Sequence, residues 1–291
     1  MTAAVDRRPA RRCHNALNTL HSTHYFSPDL GRELGALGVS DPRAVNFAVR
    51  AGALGPVGAG TVTAVFYNYK HELVARHVPD VWTTVSPAAA LAARLRAVDT
   101  TLRRLLGEEA LASAEMAEAA QLALRATRGC SRGGRPLYSA HADLPVPDAP
   151  HLAYWHAATL LREHRGDGHV AVLAAAELDG LEAVVTHTAT GKGMTPAFIS
   201  ETRGWSRADW DAAAARLHAR GLIDIAGGTA EPTERGAELR AEIERETDRL
   251  DAGPYEHLGA AGLARLTELA AGFARTAALA GAFPARAFGK G

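Results

Sequence analysis

Six consecutive residues, HRGDGH at 164–169, gather two histidines, an arginine, an aspartate and two glycines inside an alanine-rich helical pattern. Histidine titrates near neutrality, so it can take or give a proton without a cofactor. A neighbouring carboxylate can hold an imidazole in one tautomer. His164, His169 and Asp167 are therefore the first candidates for acid–base chemistry, and His21, ahead of the aromatic pair Tyr25-Phe26, is the fourth. Arginine grips carboxylates and carbonyl oxygens with a planar fork of donors. Arg162 and Arg165 are therefore ligand-binding candidates, with His156 on the same predicted helix. Tyr25 and Asn68, the latter inside VFYNY, would give a small-molecule pocket its apolar wall and a convergent polar group.

The same residues admit a structural reading. Gly166 and Gly168 would flank a turn, with a helix ending near Arg165 and a second one capped by Asp167. The arginines would pair with carboxylates, the histidines would satisfy helix ends, and Asn68 would be buried and bonded to backbone. No metal is assigned. His164 and His169 are five apart across the predicted turn, and His21 and His24 supply only two ligands on one helix. No cofactor is named either: a P-loop, GxGxxG and a haem-attachment motif are all missing. GALGPVGAG (52–60) lacks the closing Lys-Ser/Thr and reads as a bend.

The chain has 291 residues, 47% of them hydrophobic, enough for two domains or one large one. Its 32 basic and 32 acidic residues balance, which counts against a dedicated nucleic-acid binder. Cys13 and Cys130 make no disulfide framework and no CxxC pair, which fits a cytoplasmic protein. No apolar run approaches a membrane span, so no membrane partner is expected.

Residues 1–12, with Arg7, Arg8, Arg11 and Arg12, read as a disordered tail, and 13–128 as a helical domain. Within it Ser27 and Ser86 are N-caps, each followed by a helix-starting proline. TVTAVFYNYKHELVARHV and GEEALASAEMAEAAQLALRAT each read as one helix. Residues 129–150 are proline- and glycine-rich and read as a linker. Residues 151–291 then give helices, a capped helix after Ser206, two short strands around Gly227-Gly228, and two long amphipathic helices. The last two, 236–251 and 260–280, are candidates for a homodimer interface.

Helix, helix, two-stranded wing, long helix is the order of a winged helix-turn-helix. ARGLIDIAGGTAEPTERGAELRAEIERETD resembles the end of a MarR-type module, with Thr233 and Gly236 matching the close of the wing. LHSTHYF (20–26), LGPVGAGTVTAVFYNY (54–69), PDVW (79–82), WHAATLLREHRGDGHVAVL (155–173) and RGW with the helix after it (203–220) resemble an actinobacterial helix-turn-helix family of mostly uncharacterised proteins. The resemblance implies a mainly α fold with a small β wing, and no settled reaction. DNA is the disfavoured partner. Residues 187–236 hold six Lys/Arg against six acids, and Asp209 and Asp211 open the candidate recognition helix. The expectation is a small-molecule binder, or an enzyme of secondary metabolism using histidine acid–base chemistry. Its aromatic or polyketide-like ligand would lie between the two halves. The alternative is a ligand-responsive DNA-binding regulator.

Overall fold

The computed structural model describes residues 7–191, 195–226 and 229–283. Among them the chain is mainly α-helical, with one two-stranded antiparallel sheet. It forms two compact units that cut across chain order. Of the described residues, the first draws on 7–56, Val81–Gly168 and Asp248–Phe283, and the second on Val57–Asp80 and His169–Thr247.

In the first unit, Arg8–Ser22, Pro87–Leu106, Ala114–Thr127, Pro150–Ala175 up to Gly168, and Ala252–Leu279 supply the core. Leu17, Leu102, Met116, Tyr154, Leu161 and Leu266 are almost fully buried, with alanines such as Ala119, Ala123 and Ala270 between them. Small residues let helix axes approach, and the long side chains then fill the space between. Local signals start the helices where the sequence predicts. Ser27 accepts from the Asp29 N–H and Ser86 from the Ala89 N–H, each with proline in the first turn.

The second unit holds the helices Gly180–Ala189, Pro196–Arg203 and Arg207–Ala219, strands β1 (Ile223–Ala226) and β2 (Thr229–Pro232), and most of Glu234–Leu250. Leu181, Val185, Ala213, Leu217, Ile223 and Ile243 pack its core. The strands pair Ile223 with Pro232, Asp224 with Glu231 and Ile225 with Ala230. The Thr233 hydroxyl donates to Gly221 O at 2.7 Å and accepts the Gly236 N–H at 3.0 Å, so it closes the wing and caps the next helix. A Cβ on Gly236 would sit 1.9 Å from Leu222 O, which explains glycine there.

Four expectations need correction. HRGDGH makes no turn: Pro150–Ala175 is one uninterrupted helix. Two isolated glycines cost a helix only about 1 kcal/mol each, and burial along 151–168 outweighs that. Helix starts at Arg8, so residues 8–12 are not a tail; residues 1–6 lie outside the described residues, as do Gly227 and Gly228. TVTAVFYNYKHELVARHV is two helices, Ala59–Phe66 and His71–Ala75, broken at Tyr67 (φ 57°). There the Tyr67 hydroxyl donates to Leu178 O at 2.6 Å and its carbonyl lies where a Cβ on Gly180 would clash. GEEALASAEMAEAA also splits, because Ser113 turns its hydroxyl onto the Met116 N–H and starts a new helix at Ala114.

Candidate functional site

His164, Arg165 and Asp167 of the HRGDGH stretch are tied down within the first unit. His164 Nδ1 lies 2.8 Å from the Asp251 carboxylate, and its Nε2 accepts the Ser131 N–H at 3.3 Å. The second bond makes Nε2 a lone pair, so Nδ1–H is the donor to Asp251. This is the layout of an Asp–His dyad whose reactive nitrogen is already engaged by backbone. Burial pushes the Asp251 carboxyl up. Arg165 and Arg11 both reach Asp248, at 2.8 and 2.9 Å. Asp167 caps a helix, but not its own: it accepts the Tyr138 N–H at 2.9 Å, at the start of the Pro136–Ala142 helix. Burial pushes its carboxyl up to about 6. Arg135 donates to His164 O and, at 2.7 Å, to Leu250 O. It crosses the long helix at Gly168, where a Cβ would lie 2.7 Å from its Nη1. His169 and Asn68 belong to the second unit: His169 Nδ1 faces the Thr247 hydroxyl at 2.9 Å, and Asn68 O accepts the Trp205 indole N–H at 2.9 Å.

A different group converges deeper in the first unit. His21, His24 and Tyr25 come from the end of the first helix and the 3-10 turn Thr23–Phe26; Trp155, His156, Thr159, Arg162 and Glu163 from the long helix; Arg94 from Pro87–Leu106; His141 from Pro136–Ala142. His21 stacks on the Trp155 indole with centroids 5.0 Å apart, and the Arg94 guanidinium lies 5.2 Å from the same ring. Arg50 and Arg162 both approach the half-buried Tyr25 ring, at 5.9 and 5.7 Å.

The histidine tautomers follow from their partners. Thr159 Oγ1 donates to Trp155 O at 3.0 Å, so it accepts from His21 Nε2–H, also at 3.0 Å. That leaves His21 Nδ1 a bare lone pair, buried and without a partner. His24 Nδ1 donates to His21 O at 2.6 Å, and His141 Nδ1 to Leu137 O at 2.9 Å. His141 Nε2 then accepts from Arg94 at 3.2 Å. Burial and the surrounding guanidiniums hold all of these histidines neutral: His21 falls well below its ordinary value, His24 to about 3, His141 and His156 to about 4.

The positive charge therefore resides on arginine. Arg94 is 6% exposed and is pushed down to about 10 by burial. It donates to Val49 O at 2.8 Å, and its Nε–H is buried without a partner. The buried carboxylate facing this group is Glu163, bonded to Arg162. Burial works against its ionisation, yet Arg162, Arg50 and His141 hold its pKa below the usual carboxylate value. Sequence reasoning picked out His21, Tyr25, His156 and Arg162, and missed Arg94, His141 and Glu163. The missed signal is Arg94 itself. It stands on the buried stripe Ala90, Ala93, Ala97, Val98, Thr101 of an amphipathic helix, where a cation is expensive.

In the second unit, three helices lead into a hairpin and a long helix. A helix-turn-helix family model matches residues 10–284. The chain belongs to this helix-turn-helix family. No curated protein and no solved structure matches the sequence.

In a helix-turn-helix protein that reads DNA, the recognition helix presents long donors to base edges and cations to phosphates. Here the capping box of Ser206 and Asp209 forms as expected, and Asp209 also takes Lys70 at 2.7 Å, which holds its carboxyl down at about 2. The exposed face of Arg207–Ala219 carries Ala208, Ala212, Ala215 and Ala219. Its arginines are engaged by acids: Arg207 with Asp211 at 2.8 Å, and Arg216 with Asp179 and Glu182 at 2.7 and 2.8 Å. On the wing, Asp224 stands directly opposite Glu231. Among the described residues no group of histidine, cysteine and carboxylate side chains could hold a metal ion, and no helix is long and apolar enough to cross a membrane.

Proposed function

We propose that this helix-turn-helix protein binds an anionic, aromatic small molecule at the histidine–arginine cluster of its first unit. One observation carries the reading. Arg94 is buried with one N–H unused, among guanidiniums and neutral histidines, and the carboxylate that faces it, Glu163, is bonded to Arg162 instead. A buried cation that shares its carboxylate with other guanidiniums and keeps an unsatisfied N–H is costly, and an anion seated beside it would offset that cost. Arg50 and Arg162 at Tyr25 form the half-exposed rim, where a ligand's negative group would first meet charge; Trp155 and Tyr25 offer flat apolar walls. A polyketide-like aromatic acid of secondary metabolism has this chemistry. His21 Nδ1 is a bare lone pair that burial and the guanidiniums keep unprotonated, so it serves the bound molecule as a hydrogen-bond acceptor. In this reading His164, Asp167 and Arg165 hold the scaffold that carries the cluster.

The test is thermal melting with 2-naphthoate and with neutral 2-naphthamide. A ligand that binds only the folded state raises the melting temperature in proportion to its occupancy. The carboxylate should raise it and the amide should not, and Arg94→Met should remove the rise. Equal responses to acid and amide, or none to either, would end the proposal.

A second reading is favoured by family membership and by the helix order of the second unit: a ligand-responsive regulator that reads DNA in a MarR-like manner. The acid-paired arginines and acidic wing weigh against it, because phosphate neutralisation dominates such affinity. Fluorescence anisotropy with the protein's own upstream DNA at low salt distinguishes the two.

A further inference from the structure

Arg94 and His21 each leave a buried polar atom of the side chain without a partner, and the two atoms are of opposite kind. Arg94 Nε–H is a donor and His21 Nδ1, by the tautomer that Thr159 imposes, is an acceptor. Their residues are 6% and 1% exposed, and both lie against the Trp155 ring, the imidazole stacked on it and the guanidinium 5.2 Å from its centroid. Buried polar groups are almost always satisfied, so an orphaned donor and an orphaned acceptor on one aromatic platform describe the complement of a ligand. A simple carboxylate satisfies only the donor. Resting on the anion-binding reading above, we infer that the ligand is an aromatic hydroxy acid. An acid oxygen accepts from Arg94 Nε–H, while the ring hydroxyl donates to His21 Nδ1.

The rest of the cluster agrees with that assignment. His24 and His141 spend their N–H groups on backbone carbonyls. The His21 ring is held by Thr159 at Nε2 and by stacking on Trp155, whose indole N–H donates to the His21 backbone carbonyl at 3.3 Å. Its lone pair is therefore fixed in direction before any ligand arrives, which favours selection of a hydroxyl over a bare ring carbon.

Isothermal titration with 2-, 3- and 4-hydroxybenzoate, each against its O-methyl ether and against benzoate, tests the inference on the wild-type protein. At least one hydroxybenzoate should bind ten-fold or more tightly than both its ether and benzoate. His21→Phe, its fold checked by circular dichroism, should lose that preference while still binding benzoate. If benzoate and the ethers bind as tightly as the phenols, the hydroxy-acid assignment is wrong and the anion site stands. If no carboxylate binds, both fall. Should His21→Phe not fold, the wild-type comparison of phenol, ether and benzoate decides alone.

Discussion

Asp167, on the Pro150–Ala175 helix, caps the Pro136–Ala142 helix by accepting the Tyr138 N–H at 2.9 Å. That small helix carries His141 to Arg94. A residue that resembles a catalytic aspartate thus holds in place an element of the cluster. Asp167→Ala should lose the cap and about 1 kcal/mol of stability, the usual worth of an N-cap, as read by chemical denaturation.

The same carboxyl makes a pH prediction. Its folded pKa, about 6, lies above the unfolded value near 3.8, so the folded state binds the proton more tightly. Its stabilising contribution is full below the unfolded pKa and is lost as pH rises through about 6. Asp167→Asn can still accept the N–H but does not titrate. The stability difference, wild type minus Asp167→Asn, should therefore fall between about pH 4 and pH 6. A difference that is flat or rises over this window would contradict the assignment.

Gly166 and Gly168 should answer alanine with opposite signs. At Gly166 an added Cβ meets only the Glu163 carboxylate at 3.7 Å, an ordinary contact. Alanine there should gain up to about 1 kcal/mol of helix propensity. At Gly168 the Cβ meets Arg135 Nη1 at 2.7 Å and displaces a guanidinium bonded to His164 O and Leu250 O. A loss of roughly 1–3 kcal/mol is expected. Thermal melts of the two single variants decide it.

His164→Phe should unfold far more easily than the wild type. It takes the hydrogen bond of His164 from Asp251, whose side chain is 3% exposed and keeps only the longer contact to Arg165 at 3.9 Å, and leaves the Ser131 N–H without an acceptor. Breaking a buried pair from one side costs about 3–5 kcal/mol. A folded His164→Phe variant, studied below its melting point, should bind 2-naphthoate as the wild type does. A selective loss of affinity at unchanged stability would restore His164 to the binding site.

Much of the fold was legible in residues that act locally. Ser27, Ser86 and Ser206 cap where they stand, and the Thr233–Gly236 pair closes the wing because a hydroxyl and a missing side chain are both needed there. The uninterrupted helix through HRGDGH was not legible, since its two glycines are overridden by burial contributed by distant segments. The cluster was half legible for the same reason. His21, Tyr25, His156 and Arg162 sit near aromatic or charged neighbours in sequence. Arg94 and His141 stand 47 residues apart and meet only through tertiary packing. Asp167 looked like a cap and is one, but its recipient helix begins 31 residues upstream.

The most direct measurement is a native mass spectrum of the protein purified from its own source, compared with the denatured mass, for the wild type and Arg94→Met. The account predicts that the wild type sheds a small aromatic anion on denaturation and that Arg94→Met carries none. A wild-type protein whose native and denatured masses agree, or a molecule held equally by both, would contradict it.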